Sequence, residues 1–150
     1  MARGFFGIGI FHPKTEMNVG TLWRSAHLYG AAFIFTVGQR YKKQPTDTSK
    51  AWRHVPLVNY ASLDDLVEHL PHATELIGVE LDERAKPLHE FRHPETAVYL
   101  LGAEDHGLSR EAIERCHRLV QVPTIGANSL NVATAGSIVL YDRHVRLGAV

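Results

Sequence analysis

Two short polar loops sit where apolar runs end, and they hold most of the side chains able to do chemistry. The first is Gly102-Ala-Glu104-Asp-His-Gly107-Leu-Ser109, directly after the apolar run 97–101. The second is Gly126-Ala-Asn-Ser129, which follows Leu119-Val-Gln-Val122 and Pro123. Pro123 has no N–H for a sheet ladder, so the strand is expected to end there. Behind it comes a run of small residues: Asn131, Ala133, Thr134, Ala135, Gly136 and Ser137. Small residues at helical spacing let a second backbone come close, and Ser129 or Asn131 can cap such a helix. A strand opening into a polar loop at a helix start is where open parallel sheets place ligands. The same pattern also serves as a plain connection.

Other chemistry-bearing patterns carry less. His89-Glu90-Phe91-Arg92-His93 matches the zinc-protease H-E-x-x-H pattern. That chemistry needs a helix to bring both imidazoles to one face. Pro94 biases residue 93 away from helix, and no third ligand is evident, so no metal site is expected. Gly7 and Gly9 begin a dinucleotide fingerprint, but its third glycine position holds His12. The stretch 38–54 is the most basic of the chain. It carries Arg40, Lys42, Lys43, Lys50 and Arg53, interleaved with Tyr41 and Trp52. Cations beside aromatic faces suit phosphate contact and base stacking, and a solvated loop has the same composition. Cys116 is the single cysteine, which leaves no disulfide framework or thiolate cluster, and it reads as a structural thiol.

Composition sets the bounds. The 150 residues predict one domain, and 45% hydrophobic content supplies a core. Lys+Arg and Asp+Glu balance at 16 each, so the chain lacks the global basic field of avid nonspecific nucleic-acid binders. Contact with nucleic acid must then rest on a local patch or an oligomer. The opening apolar run is interrupted by glycine and has no small-residue cleavage site, so no secretory leader is expected. No apolar run approaches the roughly 18 residues of a membrane span, which predicts a cytoplasmic protein away from the membrane.

These loops need a scaffold, and the hydrophobic pattern supplies one. Strands are expected over 5–11, 32–37, 75–81, 97–101 and 118–122. Asn18 is the expected cap of a helix to Gly30, with Val19, Leu22, Trp23 and Ala26 on its apolar face and Arg24 off it. Ser62 and Ser109 are expected to cap helices to about 70 and 116. The charged stretch 82–94 holds two prolines and reads as loop. The last helix is expected over 131–146, with Val132, Ala135, Val139 and Asp142 on one face and Ile138 and Val145 beside it. Alternating strands and helices predict an α/β fold: a mostly parallel sheet with helices on both faces. Loops after 79, 101 and 122 then gather at one sheet edge, making one site.

Three segments in this order resemble the SPOUT superfamily of RNA methyltransferases, in its TrmH-like branch of ribose 2′-O-methyltransferases. They are Asn18-Val-Gly-Thr-Leu-Trp-Arg24-Ser-Ala26, Leu101-Gly-Ala-Glu104-Asp-His-Gly107-Leu-Ser109, and Val122-Pro-Thr-Ile-Gly126-Ala-Asn-Ser129-Leu-Asn131-Val132. Thr124 departs from the pattern, standing where methionine is common. The resemblance implies a C-terminal trefoil knot (the α/β knot), S-adenosyl-L-methionine bound within it, and a homodimer with shared sites. It implies a single methyltransferase domain over 1–150 with no additional RNA-binding domain. By matching positions, Arg24, Asn18, Glu104, Ser129 and Asn131 form the catalytic cluster. Val79, Glu80, Leu81, Gly102, Val122, Pro123, Ser129 and Leu130 hold the cofactor. Arg40, Lys42, Lys43, Lys50 and Arg53 contact RNA, and small size favours transfer RNA over ribosomal RNA. Arg24 is often assigned as the base in this family. A guanidinium stays charged, so a phosphate clamp that steadies the developing alkoxide suits it better.

Two other classes compete. A noncatalytic RNA-binding protein retaining the fold would have no need of Arg24, Glu104, Ser129 and Asn131 together. A nucleotide-dependent oxidoreductase would need the glycine fingerprint that His12 breaks.

Overall fold

In a computed structural model of the chain, residues 4–38, 50–126 and 128–148 are described. They form a seven-stranded sheet in the order β3-β2-β1-β6-β4-β7-β5. The strands are β1 (Phe5–Phe11), β2 (Phe33–Val37), β3 (Leu57–Tyr60), β4 (Glu75–Val79), β5 (Lys86–Pro87), β6 (Thr96–Leu101) and β7 (Arg118–Gln121). Every strand pair is parallel. Four helices cover it: α1 (Glu16–Leu28), α2 (Leu63–Glu68), α3 (Arg110–Arg115) and α4 (Val132–Arg146). No helix among the described residues is long and apolar enough to cross a membrane.

Alternation along each strand builds two cores. Phe6, Ile8 and Ile10 of β1 join Tyr99 and Leu101 of β6 beneath Val19, Leu22, Trp23 and Ala26 of α1 and Val139 and Leu140 of α4. On the other face, Phe33, Phe35, Leu76, Val98 and Leu100 pack against Leu63 and Leu66 of α2 and Ala112 of α3. Gly7 and Gly9 are packing residues. They lie in register with Phe33 and Phe35, and a Cβ on either would stand within 2.5 Å of its partner. This explains the broken fingerprint: the glycines make room for rings.

Several expectations are corrected. The cap of α1 is Thr15, in extended backbone, whose side chain accepts the Asn18 N–H; Asn18 itself lies inside the helix. β3 pairs with β2 and was not expected, because four residues behind Pro56 carry too little pattern. The stretch 82–94 is not wholly loop. It holds the two-residue β5 and a 3-10 turn, Leu88–Glu90. α4 also turns differently: its buried residues are Val132, Ala133, Gly136, Val139, Leu140 and Arg143, leaving Ile138 and Val145 outward. Gly136 faces Leu22 of α1, and the Ser25 and Ser137 hydroxyls meet at 2.6 Å, so close helix approach sets the rotation.

Arg143 is the residue that pattern reading missed. It is 2% exposed and donates to the carbonyls of Pro94 at 2.6 Å and Glu95 at 2.8 Å, with its guanidinium over the Phe6 ring. Burial of so large a charge is sustained only by such partners. Beside it His93, the second histidine of the zinc-like pattern, is a core residue. Its Nε2–H donates to Asp142 Oδ2 and its Nδ1 accepts from the Tyr99 hydroxyl, both at 2.7 Å. No cluster of metal-ligating side chains occurs among the described residues.

Burial lowers the His93 pKa below its ordinary 6.5, with Arg143 and Arg146 acting the same way and Asp142 opposing them. The unfolded chain therefore takes up this proton first as pH falls. Stability that His93 contributes is present above 6.5 and is lost as pH falls from there through the depressed folded value. Urea denaturation between about pH 7.5 and 5.5 should show a declining unfolding free energy. His93→Gln, which keeps one donor and one acceptor but does not titrate, should make that decline shallower. An unchanged slope would remove His93 from the account.

Candidate functional site

A cavity of about 370 Å³ opens at the C-terminal edge of the sheet, where β4, β6 and β7 end. Its walls come from three strand ends and the loops behind them: Val79 of β4 with Glu80 and Leu81; Leu101 of β6 with 102–107; Val122 and 129–132 after β7. The size lies within the range of about 300–1,000 Å³ common to small-molecule sites.

The loop after β6 folds back on itself. Ala103 and Gly107 exchange backbone hydrogen bonds of 3.2 and 2.9 Å. Gly107 has φ +63°, and a Cβ there would lie 2.2 Å from Glu80 Oε2. That oxygen accepts the Leu108 N–H at 2.6 Å, while Oε1 accepts the Leu81 N–H at 3.0 Å. Glycine is thus required twice, by backbone conformation and by the carboxylate against it.

The bent loop presents Glu104. Its Oε1 accepts from Asn18 Nδ2 at 2.7 Å, and its Oε2 accepts the Lys14 N–H at 3.1 Å. Asn131 Nδ2 donates to Asn18 Oδ1 at 3.0 Å, and Asn131 Oδ1 caps α4 by accepting the Thr134 N–H at 3.1 Å. The polarity follows from the carboxylate, which can only accept. Partial burial raises the Glu104 pKa, but the bonds from Asn18 and from backbone N–H groups outweigh it, holding the group below its ordinary range. Lys14 pairs with Asp105, which is also held low.

The structure brings Asn18, Glu104 and Asn131 into one relay, with Ser129 in the cavity wall. Val79, Glu80, Leu81, Gly102, Val122, Ser129 and Leu130 line the cavity, and Pro123 does not. Arg24 lies outside the lining, on the exposed side of α1. It is six residues beyond Asn18, about 9 Å along the helix axis. Glu104 and Asn18 hold each other and Asn131 rather than Arg24. Of the basic stretch, Lys50 and Arg53 are described, and both are exposed. Arg53 lies over the Trp52 ring at 5.1 Å. Arg40, Lys42 and Lys43 fall outside the described residues. Burial pushes the Cys116 thiol up to about 12, consistent with a structural thiol.

Sequence reading gave no role to the Glu80 side chain, to Thr15 or to Lys14. Their contacts depend on how loops meet in space. A capping threonine three residues before Asn18 was the one available signal.

Fold and cavity together define a parallel α/β protein with a small-molecule site at its sheet edge. The chain belongs to the SpoU rRNA Methylase family, whose profile matches residues 6–141. It is similar to the 23S rRNA (guanosine-2′-O-)-methyltransferase RlmB of Acinetobacter baylyi, 28% identical, over 83% of this chain and 53% of that protein. It is also similar to the tRNA (guanosine(18)-2′-O)-methyltransferase of Escherichia coli, 25% identical, over 83% of this chain and 56% of that protein. The chain thus spans just over half the length of these curated relatives. Among solved structures, the SpoU methyltransferase AviRb of Streptomyces viridochromogenes in complex with AdoMet superposes with a TM-score of 0.86. It is 25% identical, over 97% of this chain and 59% of that one.

Gly107→Ala should cost about 1–3 kcal/mol of unfolding free energy, through the left-handed backbone and displacement of Glu80. In a double-mutant cycle with Glu80→Ala, the combined cost should fall below the sum of the two. Simple additivity would mean that Gly107 and Glu80 do not bear on each other.

Proposed function

We propose that the chain is an S-adenosyl-L-methionine-dependent RNA ribose 2′-O-methyltransferase domain, with transfer RNA the first substrate to test. The observation that carries this reading is the relay of Asn18, Glu104 and Asn131 at the cavity mouth, one residue from each resembling segment. The relatives named above act by name on RNA 2′-oxygens, one on ribosomal and one on transfer RNA, and AviRb carries AdoMet. Activity in the cytoplasm fits an enzyme whose substrates are mature or maturing RNAs.

The cavity suits the cofactor. Val79, Leu101, Val122 and Leu130 offer apolar walls for a flat base. Backbone groups at Leu81, Gly102 and Leu130, with Ser129 beside them, offer hydrogen bonds to ribose and to the amino-acid end. When bound, S-adenosyl-L-methionine supplies an electrophilic methyl group to the 2′-oxygen of ribose, which loses its proton. Glu104, Asn18 and Asn131 keep the loops in one arrangement, so the reactants meet without reorganisation of the walls. Arg24 clamps an RNA phosphate and steadies the developing negative oxygen.

The knot belongs to the same proposal. β7 lies between β4 and β5, which are consecutive in the chain. The connection 80–85 therefore crosses from one side of β7 to the other, and Gln121 Nε2 donates to the Ala85 carbonyl at 2.8 Å, which supports this reading. A homodimer fits the outward apolar side of α4, where Ile138, Tyr141 and Val145 are 37%, 56% and 43% exposed. Arg24, outside its own cavity lining, is then available to a site in the partner. Lys50 and Arg53, with Arg40, Lys42 and Lys43, extend the contact to RNA phosphates.

Purified protein incubated with methyl-labelled donor and RNA, followed by nucleoside mass spectrometry, tests the reading directly. A 2′-O-methylated nucleoside is expected. Arg24→Ala should reduce its formation by about 100-fold or more, while donor binding stays within about twofold. Near-full transfer by the variant would remove Arg24 from the machinery. Binding of RNA without any methylation by the wild type would leave the noncatalytic reading.

A further inference from the structure

Glu80 has a place in the cavity that its two loop contacts do not exhaust. It lines the wall at the end of β4, held there by the N–H groups of Leu81 and Leu108. Among the described residues, the ionisable groups lining the cavity are three carboxylates, Glu80, Glu104 and Asp105, and one imidazole, His106. Among the described residues no lysine or arginine lines the cavity, and the Lys14 ammonium is paired with Asp105 at the rim. Glu104 is bound up with Asn18 and the Lys14 backbone, and Asp105 with Lys14. The donors that hold Glu80 and Glu104 are neutral, so they cancel neither charge, and Glu80 is the one fixed to the wall at the end of β4. A chain of zero formal net charge thus carries a local negative field inside its cavity.

We propose that Glu80 is a specificity determinant that makes the site favour a positively charged sulfonium donor over its neutral thioether product. The inference rests on the methyl-donor reading above. Transfer of the methyl group breaks a carbon–sulfur bond, forms a carbon–oxygen bond, returns the bonding pair to sulfur and releases the 2′-hydroxyl proton to solvent. The sulfur then carries no positive charge, so attraction to Glu80 present before transfer is gone after it. The field therefore helps to draw in the donor and to let the product leave. A side chain acting only as a loop clamp would affect both molecules alike, because they share every other group.

The test is calorimetric titration of the wild type and of Glu80→Gln with S-adenosylmethionine and with S-adenosylhomocysteine. Glutamine keeps the shape but replaces one acceptor oxygen with a donor, so one of the two backbone bonds is lost and the charge removed. The wild type should favour the donor, and Glu80→Gln should shrink the donor-to-product affinity ratio by about three- to tenfold, as expected for one partly screened charge pair. Equal losses for both ligands, leaving the ratio unchanged, would overturn the inference. A second measurement needs no variant: raising salt from about 0.05 to 0.5 M should narrow the wild-type ratio by screening. A ratio indifferent to salt would also overturn it. Failure of the wild type to bind either molecule would instead overturn the methyl-donor reading beneath it.

Discussion

The site depends on one directional hydrogen-bond relay, from Asn131 to Asn18 to Glu104. Its members come from the start of α4, the first turn of α1 and the loop after β6. No two of them lie within 25 residues of each other in sequence. The charge on Glu104 fixes the order: an acceptor-only carboxylate turns the Asn18 amide toward itself, which turns Asn131 in sequence and leaves Asn131 Oδ1 for the α4 cap. A helix cap and a loop position are thereby the same event. Loss of the charge would weaken the hold on the Asn18 amide, while the α4 cap still fixes Asn131.

The sheet below makes such a relay possible. Parallel strands packed on both faces give a rigid edge, and only at that edge do loops escape the core. Two of the walls are short: two lining residues follow β4, and the loop after β6 turns back within five. Short connections have little entropy to lose, so a few hydrogen bonds suffice to order them. Gly107 and Glu80 show how tightly this is done. One residue gives up its side chain so that another's carboxylate can bind two backbone donors.

Much of this was legible in the residues. β1 and the buried face of α1 follow from apolar spacing, and the caps Ser62 and Ser109 follow from their side chains, as does Asn131, one of the two residues offered for α4 beside Ser129. The convergence of loops after β4, β6 and β7 follows from parallel topology alone. What stayed hidden was nonlocal. β5 has two residues and exists only because β7 offers it a partner. Arg143 looks like a surface residue in any window of sequence. It is buried because carbonyls at Pro94 and Glu95, nearly fifty residues away, need donors. Thr15 takes the cap from Asn18 because Asn18 is needed elsewhere, bridging Glu104 and Asn131.

The two ends of the sheet divide the work. At the N-terminal edge Arg143, His93, Tyr99 and Asp142 form a buried network, and burial pushes the Tyr99 hydroxyl up to about 12, so it remains a donor to His93. The Arg143 carbonyl partners lie just before β6, and the Phe5 N–H bonds the Glu95 carbonyl at 2.9 Å, so that network pins the start of both central strands. Nothing in it reaches the cavity. At the opposite edge the polar groups are partly exposed. Placing the costly buried charges at the closed edge lets the open edge hold a negative field without destabilising the core. That separation allows the Glu80 wall to be tuned to a ligand's charge while the strands beneath it stay fixed.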